Sequence, residues 1–212
     1  MYIHTTYSVI CSIFVQHKKV PNMETDKKAN GFLSSSTAKA KGRSAYYKLL
    51  DEAKEGNLIS VRRGVYATVD QLADTMIDLD IVVPGGILCL QSAWNIHGLS
   101  TTLPQCYHVA LKRGRKIQVP EYPPIEFHFI TEKLFNLGVE EKVISGYKVK
   151  LYNLERTVCD AIKFRNKTGM DVCSEVVNNY LSMPNRNLTL LMDYAEQLRV
   201  SSTLKKYLEI KL

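Results

Sequence analysis

Gly42 stands between two short helical patterns, and no other feature constrains the first third of the chain so tightly. Ser34, Ser35 and Ser36 offer side-chain acceptors that cap a short helix carrying Thr37–Lys41. Gly42 falls where a left-handed residue ends such a helix. A second helix is predicted over about 43–55. Its apolar Tyr46, Leu49, Leu50 and Ala53 recur at i, i+3, i+4 and i+7, so one face is buried. Gly56-Asn57 ends it. Leu58–Arg62 and Val65–Thr68 are β-branched runs around Arg63-Gly64, a hairpin signal.

Charge adds meaning to that order. The 212 residues carry 28 basic and 21 acidic side chains, a net of +7, which favours an acidic partner without specifying a fold. Residues 1–70 hold 11 basic and 6 acidic groups, net +5, and residues 71–212 hold 17 and 15, net +2. Between Lys27 and Leu50 stand six basic residues (Lys27, Lys28, Lys39, Lys41, Arg43 and Lys48) and no acid. Two helices joined by a glycine turn, then a basic hairpin, make a winged helix-turn-helix, whose second helix enters the major groove of DNA. The start of that helix carries Arg43, Ser44, Tyr47 and Lys48, all off the apolar face. Arg43 suits bidentate bonding to guanine. Lys39 and Lys41 fall near the DNA backbone, and Arg62 and Arg63 at the hairpin tip reach phosphates, which give affinity and register but no sequence information. The competing reading is a solvated basic face on a winged helix that binds protein.

Asp70 can cap a further helix through about Leu79, and Pro84-Gly85-Gly86 is the strongest punctuation in the chain. The expected division is an extension over 1–22, a DNA-binding domain over 23–80 and a second domain over 81–212, with the boundary within 69–85. In the second half Ile87–His97 reads as a helix stopped by Gly98. Cys106–Lys112 and Ile125–Ile130 read as strands, and Val143–Tyr152 as a hairpin around Ser145-Gly146. Helices follow: Leu154–Arg165 capped by Asn153, Asp171–Leu181, Leu188–Leu198 capped by Asn187, and a last one from Ser201 or Ser202. Strands first and helices after predict an α+β fold.

Five cysteines, Cys11, Cys89, Cys106, Cys159 and Cys173, include no C-x-x-C pair, so reduced thiols in a cytoplasmic protein are expected. Tyr7–Val15 is apolar but too short to span a bilayer, and its Lys18 and Lys19 follow rather than precede it, unlike a signal peptide. The extension reads as a first helix or as sequence upstream of a true start at Met23. No membrane association is expected.

The residues also carry a family resemblance. Gly-Asn-Leu-Ile-Ser-Val-Arg-Arg-Gly-Val-Tyr-Ala (56–67) resembles the wing of AbiEi-type proteins, the antitoxins of type IV toxin–antitoxin systems of abortive phage infection. Leu90-Gln-Ser-Ala-Trp-Asn-Ile-His-Gly-Leu99 is similar to that family's helix ending in a His-Gly-Leu turn. Tyr107-His-Val-Ala110 is similar to its next strand, and Asn153-Leu-Glu-Arg-Thr-Val-Cys-Asp160 to its "ERT-x-x-D" helix start. The likeness covers about 30–210 and leaves the first 22 residues without a counterpart. It implies a bifunctional protein. The winged helix binds inverted repeats in double-stranded DNA of its own promoter and represses the operon, and the second domain counteracts a nucleotidyltransferase-like toxin, in general without a stable complex.

Other groupings have two readings each. Glu155, Arg156 and Asp160 stand at a helix start. They form either a salt bridge that pins the helix to the sheet or an antitoxin surface. Lys112-Arg113-Gly114-Arg115-Lys116 is either a solvated loop or a second phosphate- or toxin-contacting element. His97, His108 and His128 do not fall at metal-ligand spacings, so no metal and no cofactor are expected. Two alternatives to the antitoxin stand: a ligand-responsive winged-helix transcription regulator and a metal-dependent nuclease. For the nuclease, Glu52-Ala-Lys54 and Glu140-Glu-Lys142 have the local spacing, the second in an expected loop, but neither follows an aspartate-bearing strand. No P-loop or nucleophile motif is present, and an enzyme is not expected.

Overall fold

The computed structural model describes residues 32–68, 79–120 and 123–211. The extension expected over 1–22, the basic pair Lys27 and Lys28, and all but the end of the helix expected from Asp70 lie outside these residues. The described chain is α+β, with two sheets and nine helices.

The N-terminal unit runs β1 (Leu33–Ser34), α1 (Ser35–Lys41), α2 (Arg43–Lys54), β2 (Ile59–Arg62) and β3 (Val65–Ala67), its three strands antiparallel in the order β1-β3-β2. Local chemistry sets these limits. Ser34 Oγ accepts from the Ser36 amide at 3.2 Å and caps α1. Gly42, at φ +120°, closes α1 and opens α2. Leu49, 1% exposed, anchors the apolar face of α2 with Leu33, Ala38 and Leu58.

After α3 (Leu79–Val82) comes the second sheet. It holds β4 (Ile87–Leu88), β5 (Tyr107–Lys112), β6 (Ile125–Ile130), β7 (Val139–Ile144) and β8 (Tyr147–Tyr152) in the order β6-β5-β4-β8-β7. β5/β6 and β4/β8 are parallel, and the other two pairings are antiparallel. α4 (Leu90–Ile96) and α5 (Glu132–Phe135) lie between strands. α6 (Leu154–Thr168), α7 (Met170–Ser182), α8 (Leu188–Gln197) and α9 (Ser201–Lys211) follow the last one. Asn153 and Asn187 cap α6 and α8 by accepting from Arg156 N at 3.1 Å and Leu190 N at 3.0 Å.

Two expectations need correction. The predicted helix over Ile87–His97 is a strand and then a helix. Leu88 pairs with Val109 on one side and Leu151 on the other, so Ile87–Leu88 is the middle of the sheet. A strand buried on both faces lacks alternation and reads locally like a helix start. The loop expected around Glu140–Lys142 is part of β7, since the hairpin reaches back to Val139. Its turn is where the sequence placed it, with Ser145 and Gly146 both at positive φ (50° and 85°), the conformation of a two-residue hairpin.

The sheet is covered on both faces. Ile87, Ala110 and Tyr152 pack with the helical layer, around Trp94, Val158, Ile162, Val176, Leu191 and Leu204. Leu88, Val109, Leu111, Val149 and Leu151 share the other core with Phe32, Val61, Val65 and Ala67 of the N-terminal unit and with Leu79, Val82 and Val83.

Candidate functional site

All eight residues expected at DNA are exposed: Lys39, Lys41, Arg43, Ser44, Tyr47, Lys48, Arg62 and Arg63. Lys39 Nζ lies 4.8 Å from the centroid of the Tyr46 ring, and the Tyr46 and Tyr47 rings meet edge-on at 5.7 Å. A lysine, a stacking aromatic and the start of α2 are thus neighbours. The hairpin turn is fixed against α1, because the Ser35 amide donates to the Gly64 carbonyl at 2.8 Å. The acids of α2, Asp51 and Glu52, fall in its C-terminal half, and Glu52 accepts from Asn57 Nδ2 at 2.8 Å in the turn that ends the helix.

The second basic run leaves the end of β5. Lys112 is an ion-pair partner of Glu132 at 2.8 Å, which holds the Glu132 carboxyl below its ordinary range. Arg113 and Lys116 are exposed and Arg115 is half-buried.

Glu155, Arg156 and Asp160 do not form a surface. They are 6%, 1% and 2% exposed, so the expectation of an antitoxin surface there gives way to an interior network. Arg156 Nε donates to both Asp160 oxygens, at 3.2 and 3.1 Å. Its Nη1 donates to the carbonyls of Leu134 (2.9 Å) and Leu137 (3.3 Å), and its guanidinium lies 4.4 Å from the Tyr152 ring centroid. The charge thus ties α6 to the end of α5 and to β8. Burial pushes the Asp160 carboxyl up, and Arg156 pulls against it. Glu155 accepts from Tyr180 Oη at 3.4 Å and from the Asn187 amide at 3.2 Å. The neighbouring Cys159 thiol is pushed up to about 12 by burial, which makes it inert packing rather than a nucleophile.

A grouping the sequence reading missed lies on the helix-facing side of β5 and β6. Parallel register sets His108 beside Glu126 and Ala110 beside His128. His108 Nδ1 and His128 Nε2 are 3.0 Å apart, sharing one hydrogen, and the rings stack at 5.3 Å. Glu126 oxygens lie 3.7 Å from each of these nitrogens, and Cys106 Sγ lies 3.7 Å from His108 Nε2. Burial lowers the pKa of both imidazoles. The signal in the sequence is a pair of period-two couples, Cys106-x-His108 and Glu126-x-His128, on two predicted strands.

His97 is elsewhere, at the end of α4. Its Nε2 donates to the Tyr152 carbonyl at 2.8 Å, and its Nδ1 meets Lys142 Nζ at 3.2 Å. Lys142 pairs in turn with Glu140 at 3.0 Å, so the Glu140-x-Lys142 couple is engaged with itself and with a neutral histidine. Burial lowers the His97 pKa. No helix among the described residues is long and apolar enough to cross a membrane.

No protein-family model and no curated protein matches the chain.

Proposed function

We propose that the chain is an AbiEi-like antitoxin and transcriptional autorepressor, a cytoplasmic binding protein rather than an enzyme. Its N-terminal unit acts as a winged helix-turn-helix on inverted repeats in its own promoter. Its second part counteracts a nucleotidyltransferase-like toxin. One observation carries the DNA half: the eight residues expected at DNA are all exposed, while Ala38, Leu49 and Val61, which alternate with them along the chain, are buried in cores. The order strand, helix, glycine, helix, hairpin, with β3 central in its sheet, supports the same reading. For the antitoxin half the support is the family resemblance. With Glu155, Arg156 and Asp160 buried, the basic loop of Lys112, Arg113, Arg115 and Lys116 is left as its surface for an acidic partner.

The test is fluorescence anisotropy of the full chain on its own upstream DNA across a salt series. Affinity is expected to fall by about 0.9 log unit per log unit of salt for each phosphate contacted. Arg62→Ala with Arg63→Ala should weaken all DNA alike and flatten the salt slope by about one unit per lost contact. Arg43→Ala should instead erode the preference for the operator by about 1–3 kcal/mol. A paired hairpin variant that binds as tightly as the parent, with the same slope, rejects the assignment of the wing. For the antitoxin half, the neighbouring gene is expected to be toxic unless this chain is co-expressed, and growth that stays arrested refutes it.

A second reading, a ligand-responsive winged-helix regulator, is favoured by the convergence of Cys106, His108 and Glu126 in the second part of the chain, with His128 hydrogen-bonded to His108. No observation favours the nuclease.

A further inference from the structure

We propose that Cys106, His108 and Glu126 bind a borderline-soft divalent transition-metal ion, zinc foremost, at a site whose fourth position stays open, with His128 as the positioning partner of His108. Such a site lies outside both functional readings and replaces the expectation that the chain takes no metal.

A thiolate, an imidazole and a carboxylate together suit zinc or cobalt and disfavour calcium and magnesium, which want oxygen throughout. The thiolate and the carboxylate also bring two negative charges, which balance a divalent ion. One donor atom from each of the three residues lies within 4.8 Å of the other two. Tetrahedral zinc, with bonds of about 2.0–2.3 Å, keeps its donors about 3.3–3.7 Å apart. Cys106 Sγ and His108 Nε2, at 3.7 Å, already have that spacing. A Glu126 oxygen lies on the other side of the ring, 3.7 Å from His108 Nδ1, which is beyond hydrogen-bond length. The Glu126 side chain is 59% exposed, so its carboxylate can turn to an ion held between the thiol and Nε2.

The two nitrogens of His108 have separate tasks. Nδ1 faces His128 Nε2 at 3.0 Å, with one hydrogen between them. When His108 donates that hydrogen, the lone pair of its ring is left on Nε2, beside the thiol. Metal-ligating histidines are oriented in this way by a bond on their other nitrogen. His128 therefore stays off the ion, and its own ring packs edge-on against Phe164 at 6.1 Å. The backbone under the donors is held as well. The Tyr107 amide donates to the Pro124 carbonyl at 2.9 Å, and the His108 amide to Ser92 Oγ at 2.9 Å. On binding, the Cys106 thiol proton leaves to solvent, His108 stays neutral, and water takes the fourth position. His108 is buried and Glu126 exposed, so the open position faces solvent past the carboxylate. An ion held this way is exchangeable, and its open position accepts small anions.

Cobalt(II) titration of the reduced full chain tests this, with zinc as competitor. The expected result is one ion per chain, visible bands of four-coordinate cobalt, and a thiolate-to-cobalt charge-transfer band, all abolished by zinc. Azide should shift the visible bands, because it replaces the water. Cys106→Ser should remove the charge-transfer band, and Cys11→Ser should leave it. Glu126→Gln should weaken zinc binding by about tenfold or more, at least the loss that outer-shell changes cause. His128→Phe should weaken it by about ten- to hundredfold yet keep the charge-transfer band, and His128→Gln, which retains an acceptor for Nδ1, should restore most of the affinity. Far-ultraviolet circular dichroism of the metal-free variants checks their folding. Glu126→Gln, at the exposed edge, remains informative if a buried variant fails to fold. A spectrum without the charge-transfer band, or one that Cys106→Ser or Glu126→Gln leaves unchanged, overturns the metal site. Bands that azide does not move overturn the open position, and equal losses in His128→Phe and His128→Gln overturn the positioning role.

Discussion

Arg156→Ala is expected to cost about 3–5 kcal/mol of folding stability, measured by urea denaturation at neutral pH, the usual cost of removing one partner of a buried ion pair. The reason lies in what stays behind. Asp160 is left at 2% exposure without the guanidinium that lowers the cost of its charge, and the carbonyls of Leu134 and Leu137 lose their donor. The deficit should depend on pH in a direction that identifies its cause. Without Arg156 the Asp160 carboxyl is raised further above its unfolded value. A raised acid contributes stability that is complete below the unfolded pKa and is lost as pH rises through the folded one. The gap between parent and variant should therefore narrow as pH falls. A gap that is constant with pH would mean that lost packing, not stranded charge, is responsible. Arg156→Met with Asp160→Leu should recover part of the loss. It should not recover all of it, because the two carbonyls remain without their donor.

Gly138→Ala is expected to be nearly as damaging. Gly138 has φ +71°, a left-handed backbone that costs a residue with a Cβ about 1–2 kcal/mol. The added methyl would also lie 2.7 Å from Arg156 Cβ, 2.9 Å from Asn153 Oδ1 and 3.2 Å from Tyr194 Cε2. Overpacking of that kind adds about 1–3 kcal/mol, for a total of about 2–5 kcal/mol. Gly146→Ala is the control. Its φ is +85° but no atom lies within 4 Å of the new methyl, so only the backbone part should be lost. Equal losses at the two glycines would show that the close approach at Gly138 relaxes freely.

The elements that were legible in the sequence are those whose causes are local. Asn153, Asn187 and Ser34 announce helix starts because the bond they make is to an amide two or three residues on. Ser145-Gly146 announces its turn for the same reason. Ile87–Leu88 was misread because a two-residue strand is made by the neighbours that pair with it, Val109 and Leu151, and both are distant in the chain. Glu155, Arg156 and Asp160 look like a charged helix start in one dimension. Only the packing of α5, α7 and the sheet around them turns that start into an interior. The histidine cluster was hidden by register: a one-residue slip of β6 against β5 would send Glu126 and His128 to the opposite face. The basic residues of the first unit were legible because exposure needs no partner.

The core shared between the first unit and the sheet has a thermodynamic consequence. Val61 and Ala67 on one side and Val109 and Leu151 on the other are each 0% exposed, and they are buried in the same cluster. Neither side can melt without wetting the other. The hairpin that carries Arg62 and Arg63 therefore draws its protection against local opening from a sheet more than forty residues downstream at Val109. Cut after residue 80, the first unit would lose the surface it folds against, and the chain would denature cooperatively rather than in parts.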